Sequence, residues 1–149
     1  MPYLRIHCPE RPPEEKRTIA IALTDAVVDL NFAPHPRAPT KEEIRARTTV
    51  HFTCYRQEDF FIGGQTPSER GAPDISVEYS DWALHPRRQR RVAAALTPLL
   101  ARLFNVGPEH LDDVNIRFHP YPPTDFAVGG TLLRDRLPLP ARIARRLTR

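Results

Sequence analysis

Glu58-Asp-Phe-Phe-Ile-Gly-Gly64 and Thr124-Asp-Phe-Ala-Val-Gly-Gly130 decide the fold, because the second stretch repeats the first at a fixed distance. Phe60 and Phe126, like Gly63 and Gly129, lie 66 positions apart. Self-similarity at one offset marks an internal duplication. Working outward, Thr48 to Tyr55 precedes the first stretch and is rich in β-branched and aromatic residues, which predicts a strand. Val114 to Phe118 precedes the second in the same way. Further upstream, Tyr3 to Cys8 alternates apolar and polar residues in strand fashion, and Ile75 to Trp82 reads as its counterpart. Pro2-Tyr-Leu-Arg-Ile is loosely echoed by Pro73-Asp-Ile-Ser-Val.

A helix lies between the strands of each half. Pro9, Pro12 and Pro13 stop the first strand and open a helix with Glu14 and Glu15 in its first turn, where acidic groups suit the dipole. Ile19, Leu23, Val27 and Leu30 then recur at helical spacing until Pro34, and a proline-rich loop follows from Ala33 to Thr40. In the second half Pro86 starts a helix whose apolar stripe is Val92, Leu96, Leu99 and Leu103. Each half is thus a βαβ unit, whose right-handed crossover makes its two strands parallel. The expected fold is α/β: duplicated β-α-β units (about 2–66 and 73–134) forming one domain, a four-stranded sheet with two helices on one face. A basic tail, 135–149, completes the chain. Leu4, Ile6, Val50, Phe52, Val77 and Ile116 are too many to point all at the helices, so an apolar sheet face is expected to need a cover. Self-association supplies the simplest one.

Composition narrows the function. The chain has 149 residues, 40% of them hydrophobic and 27% charged, as in a globular protein. It shows neither a long apolar run nor a signal-peptide pattern, so a cytoplasmic protein with no membrane partner is expected. Cys8 and Cys54 have neither C-x-x-C nor metal-ligand spacing and read as reduced thiols; no metal is expected. The net charge of +4 is arginine-rich, with Lys16 and Lys41 the two lysines. The arginines are spread along the chain without a nucleic-acid-binding motif, so no nucleic acid is expected. A basic enzyme does attract anionic small molecules, and arginine grips carboxylates.

Pro2 is the residue with unusual chemistry. Once Met1 is removed its nitrogen becomes a free secondary amine at the head of a strand. An α-amine titrates near 8 rather than near the lysine value of about 10.4, and burial or cationic neighbours lower it further. Such an amine accepts and returns a proton near neutral pH without a cofactor. Every other proline here, Pro73 included, is an amide nitrogen without basicity.

A proline after the initiator methionine, then strand, helix, strand and an aromatic-x-Gly-Gly turn, all repeated, resembles the tautomerase superfamily. The similarity covers residues 2 to about 134 and is most specific at Tyr55-Arg-Gln-Glu-Asp-Phe-Phe-Ile-Gly-Gly-Gln65. Short members such as 4-oxalocrotonate tautomerase are one unit long; the fused members, of the cis-3-chloroacrylic acid dehalogenase kind, match this length. The resemblance implies a homotrimer with one active site per chain at Pro2. It also implies a site set. A histidine of the dehalogenase-like relatives falls at Val27, two carboxylate-binding arginines fall at Trp82 and His85, a tyrosine falls at Asn115, and the acidic residue that activates water falls at Asp125.

Catalytic candidates are therefore Pro2 and Asp125, and substrate-binding candidates are His85, Trp82, Asn115, Arg117 and Arg87. Each carries a plainer alternative: helix capping for His85, core packing for Trp82, a solvent-facing strand position for Arg117, and a turn for Asp125, which Asp59 parallels. Arg87, Arg117 or a protonated His85 is expected to lower the Pro2 pKa, so that the rate rises with pH. The expected activity is that of a tautomerase or isomerase acting on an enol or unsaturated keto acid. Hydration or dehalogenation with protonated Pro2 and Asp125 is one alternative, and a non-catalytic binding protein of the same fold is another.

Overall fold

The structure is a computed structural model that describes residues 1–36, 38–82 and 84–137. Most of the expected basic tail, from 138 onward, lies outside the described residues.

Strand β1 (Tyr3–Pro9) is followed by helix α1 (Pro13–Asn31), a seven-residue helix α2 (Lys41–Arg47) and strand β2 (Thr49–Tyr55). A one-turn helix α3 (Pro67–Arg70) leads to strand β3 (Ile75–Asp81), helix α4 (Pro86–Phe104) and strand β4 (Val114–Pro120). The sheet order is β2-β1-β3-β4, parallel within each β-α-β unit and antiparallel where β1 meets β3. Two short strands, β5 (Ala127–Val128) and β6 (Thr131–Leu132), and a last turn of helix, α5 (Leu133–Arg136), follow.

The repeated Gly-Gly pairs are the tips of two tight turns. Ile62 bridges Gln65 around Gly63-Gly64, and Val128 pairs Thr131 around Gly129-Gly130. All four glycines have φ between +55° and +81°. Two consecutive residues at positive φ are what a two-residue turn of matching twist requires, and glycine adopts them without Cβ strain.

The strand pairing overturns the expectation of an uncovered apolar sheet face. Leu4 pairs with Val50 and Tyr79, Ile6 with Phe52 and Val77, and Val77 with Ile116. Directly paired residues share a sheet face, so the six apolar strand residues all point at the helices after all. Leu4, Ile6, Val77 and Tyr79 are fully buried with Leu23 and Val27 of α1 and Leu96 and Leu100 of α4, and Val50, Phe52 and Ile116 pack against that cluster. The other face carries Tyr3, Arg5, His7, His51, Glu78, Arg117 and His119, tied by Arg5–Glu78 (3.2 Å) and Tyr3–His51 (2.8 Å) bonds. It is polar, and apolarity does not oblige it to be covered.

Candidate active site

Pro2 is buried at the head of β1 and its carbonyl accepts from Thr49 N–H at 3.0 Å, which fixes it to the start of β2. The last antiparallel pair is Tyr3 with Ser80. One step further along that register, Pro2 stands opposite Asp81. Both residues share the parity of the buried positions in their strands, so both face the helices.

Asp81 is 2% exposed and therefore needs partners for its charge. Its Oδ1 accepts from the Met1 amine at 2.9 Å and from the Trp82 backbone N–H at 2.8 Å. Its Oδ2 accepts from Arg88 at 3.0 Å. Arg88 reaches it from the first turn of α4 and also donates to the Asn31 side-chain oxygen at the end of α1. Asn31 is fixed in turn by donating to the Val27 carbonyl at 2.8 Å. The Tyr121 hydroxyl, just beyond β4, lies 3.0 Å from the Met1 amine and 3.2 Å from the Met1 carbonyl oxygen. Two strand ends, two helix ends and the loop after β4 thus converge on the chain's first peptide unit.

Burial, with the Asp81 charge second, pushes the Tyr121 phenol up to about 12. Tyr79, buried beneath Asn31 and Arg88, is likewise raised, chiefly by desolvation. Both phenols are neutral at physiological pH, and the Tyr121 hydroxyl donates to the Met1 carbonyl oxygen.

A cavity of about 560 Å³ opens onto this group. Met1, Pro2, Asn31, Asp81 and Arg88 form its polar floor. Trp82, Pro36, Ala38, Pro39, Leu133 and Leu137 make apolar walls, and α2 contributes Glu43, Ile44 and Arg47. The size suits a small organic molecule. Helix α2 is held in place by a full capping box, Thr40 with Glu43, and by Lys41–Asp29 (2.7 Å) and Arg45–Asp25 pairs to α1.

Of the residues expected from the sequence, the structure brings Pro2 and Trp82 to the cavity. His85 sits at the N-cap of α4, where its Nδ1 accepts from Arg88 N–H at 3.3 Å, and it is exposed. Arg87 is exposed on the same helix turn and does not line the cavity. Asn115 pairs with Ser76 at the opposite end of the sheet and bonds Asp74 at 3.3 Å. Arg117 lies on the polar sheet face opposite Glu78. Asp125 is exposed in a turn, bonded to Thr124 Oγ1 at 2.8 Å. The charged groups facing the head of β1 are thus Asp81 and Arg88 rather than Arg87, Arg117 and His85. Sequence reading missed Asp81, Arg88, Asn31 and Tyr121; the signal available was Asp81 as a carboxylate at an inward-facing position of an otherwise apolar strand. Among the described residues no cluster of His, Cys, Asp or Glu is arranged to hold a metal ion, and no helix is long and apolar enough to cross a membrane.

No family model and no curated protein matches the sequence. Solved structures do. The chain is similar to a fused 4-OT, F6, in its wild-type asymmetric trimer, with TM-score 0.70 at 19% identity over 90% of this chain and 98% of that one. It is similar to Pt0534 inactivated by 2-oxo-3-pentynoate, with TM-score 0.70 at 19% identity over the same shares, 90% and 98%. A macrophage migration inhibitory factor of Toxoplasma gondii gives TM-score 0.64 at 17% identity, over 87% of this chain and 98% of that one. The chain therefore has the paired β-α-β fold of the fused 4-OT and macrophage migration inhibitory factor structures.

Proposed function

We propose that this protein is a cofactor-independent tautomerase, an isomerase that moves a proton on an enol or unsaturated keto acid with the amine of Pro2 after removal of Met1. The observation that carries this reading is the placement of Pro2 in the floor of an open cavity, beside the buried carboxylate of Asp81 and the part-buried Arg88. An exposed terminal proline would have no substrate to hold; this one has a cavity of fitting size above it. The secondary amine exchanges a proton with carbon and oxygen of the bound enol in turn. Arg88 and Arg47 are the cations at the cavity that suit an anionic substrate. The hydratase or dehalogenase reading needs Asp125 to activate water, and Asp125 does not line the cavity within the chain, so isomerisation is preferred. A homotrimer is part of the proposal, supported by the trimeric fused 4-OT structures.

The seating of the Met1 amine on Asp81 and Tyr121 favours one second reading: a binding protein that keeps Met1 as a structural anchor. Intact mass together with a phenylpyruvate keto–enol assay separates the two. The tautomerase reading expects a chain lacking Met1 and turnover that falls at least a hundredfold when Met1 is forced to remain. Unchanged turnover with Met1 retained would exclude Pro2 as the proton carrier.

A further inference from the structure

We infer that Asp81 is a positioning residue that keeps the mature Pro2 amine protonated, so that catalysis starts with an ammonium delivering a proton to carbon. This rests on the reading of Pro2 as a free amine. The geometry is independent of that reading: a carboxylate that is 2% exposed already accepts a bond from the terminal ammonium of the chain at 2.9 Å, and the register sets Pro2 opposite it.

Around the amine, from β3 come Asp81 and the neutral phenol of Tyr79. From α4 comes Arg88, whose guanidinium is engaged by Asp81 Oδ2 and the Asn31 side chain of α1. From the segment after β4 comes the neutral Tyr121. From α2 come Glu43 and Arg47, of opposite sign, on the cavity wall. Asp81 is therefore the anion next to the amine, and its Oδ1 is the oxygen on the side away from Arg88. Loss of Met1 vacates the place its ammonium held beside that oxygen and frees the Pro2 nitrogen at the head of the strand opposite Asp81.

An opposite charge within a few ångströms favours the charged form of a titrating group by roughly one to three pKa units. Arg88 on the other oxygen and the burial of Pro2 both oppose this, so the amine stays protonated only where the carboxylate beside it outweighs the two. The proton balance follows. The N–H bond of the ammonium breaks as a C–H bond forms at the electron-rich carbon of an enol. The neutral amine then recovers the proton from the oxygen of the protonated carbonyl, leaving the keto form and the ammonium restored. Substrates presented as enols are consumed directly, and the rate is flat at low pH and falls as pH rises through the amine pKa, the reverse of a base-first cycle.

The test is an NMR titration of the full chain carrying ¹³C-labelled proline, with Met1 removal verified by mass, alongside the pH profile of enol ketonisation. In the wild type the Pro2 amine should titrate above about 8, the ordinary α-amine value. Asp81→Asn should lower it by about one unit or more and move the falling limb of the profile with it. Arg88→Met should move both the other way. Two variants that merely damage the fold would not shift one pKa in opposite directions. A wild-type amine titrating at or below about 8, or one unmoved by either variant, overturns the inference. If blocking the N-terminus abolishes turnover while the amine titrates low, the tautomerase reading survives without it; if the amine titrates high and responds to Asp81→Asn while no enol is turned over, the positioning survives and the tautomerase reading fails.

Discussion

Asp81 shows how a single residue was hidden in plain sight. Ile75-Ser-Val-Glu-Tyr-Ser-Asp81 alternates so that Ile75, Val77 and Tyr79 point inward, and Asp81 follows on the same parity. Periodicity located the strand correctly and also placed a carboxylate at its inward-facing end, but no spacing rule says that the first turn of α4 and the end of α1 will meet there. Pro2 was legible because it heads the first strand, whereas Trp82, just past the end of the third, came from the family resemblance. Asn115 and Asp125 came from the family resemblance and Arg117 from strand alternation, and the structure places all three away from the cavity. The phenols around this core carry a prediction of their own. Burial pushes Tyr55 and Tyr121 up to about 12 and raises Tyr79, against the ordinary value of 10.0. A group whose folded pKa is raised stabilises the fold fully below its unfolded pKa and loses that contribution as pH climbs through the folded value. The urea midpoint should hold up to about pH 10 and then decline toward pH 12; an unchanged midpoint at pH 11 would mean that these phenols ionise freely in the folded chain.

At the scale of elements, the four strands and two long helices were readable because each buries one periodic face. Helix α4 runs through Pro98 without stopping, against the reading of prolines as punctuation. Leu96 and Leu100 on either side are fully buried, and their packing outweighs the missing backbone bond. Helix α2 was not readable, since seven residues with one buried side chain, Ile44, give no apolar period. Its start is encoded instead in the capping box, which satisfies two backbone N–H groups. Thr40→Ala should therefore destabilise the protein by about 1 kcal/mol, a fall in Tm of roughly 2–4 °C for a chain of this size. Because α2 walls the cavity, KM should rise several-fold with kcat nearly unchanged. A fall in kcat with KM constant would show that α2 does not contact substrate.

For the molecule as a whole, the sheet order and parallel pairing follow from the duplication, but the sheet face that would drive assembly was misjudged. Residue pairing across strands, invisible to a one-dimensional pattern, put every large apolar strand residue on the helix side. A trimer of this chain would then use polar groups, strand edges or exposed apolar side chains such as Phe61 at the first turn tip, 59% exposed, and Ile21 on α1, 51% exposed. A trimer near three times 17.1 kDa is expected in light scattering, and Phe61→Ser should weaken it without lowering the Tm of the isolated chain. A monomer at micromolar concentration would sink the oligomer and leave the cavity to work alone.

The antiparallel seam between β1 and β3 has a further consequence. It relates the two β-α-β units by an approximate half-turn, so Pro2 and Pro73 head equivalent strands at opposite ends of the sheet. The covalent join that makes one chain of two units seals the nitrogen of Pro73 into an amide and leaves the other end of the sheet without a titratable secondary amine. A circular permutant opened between Ala72 and Pro73 would exchange the two: the far end would gain the free amine, and the cavity over Trp82 would be capped by an ordinary peptide bond.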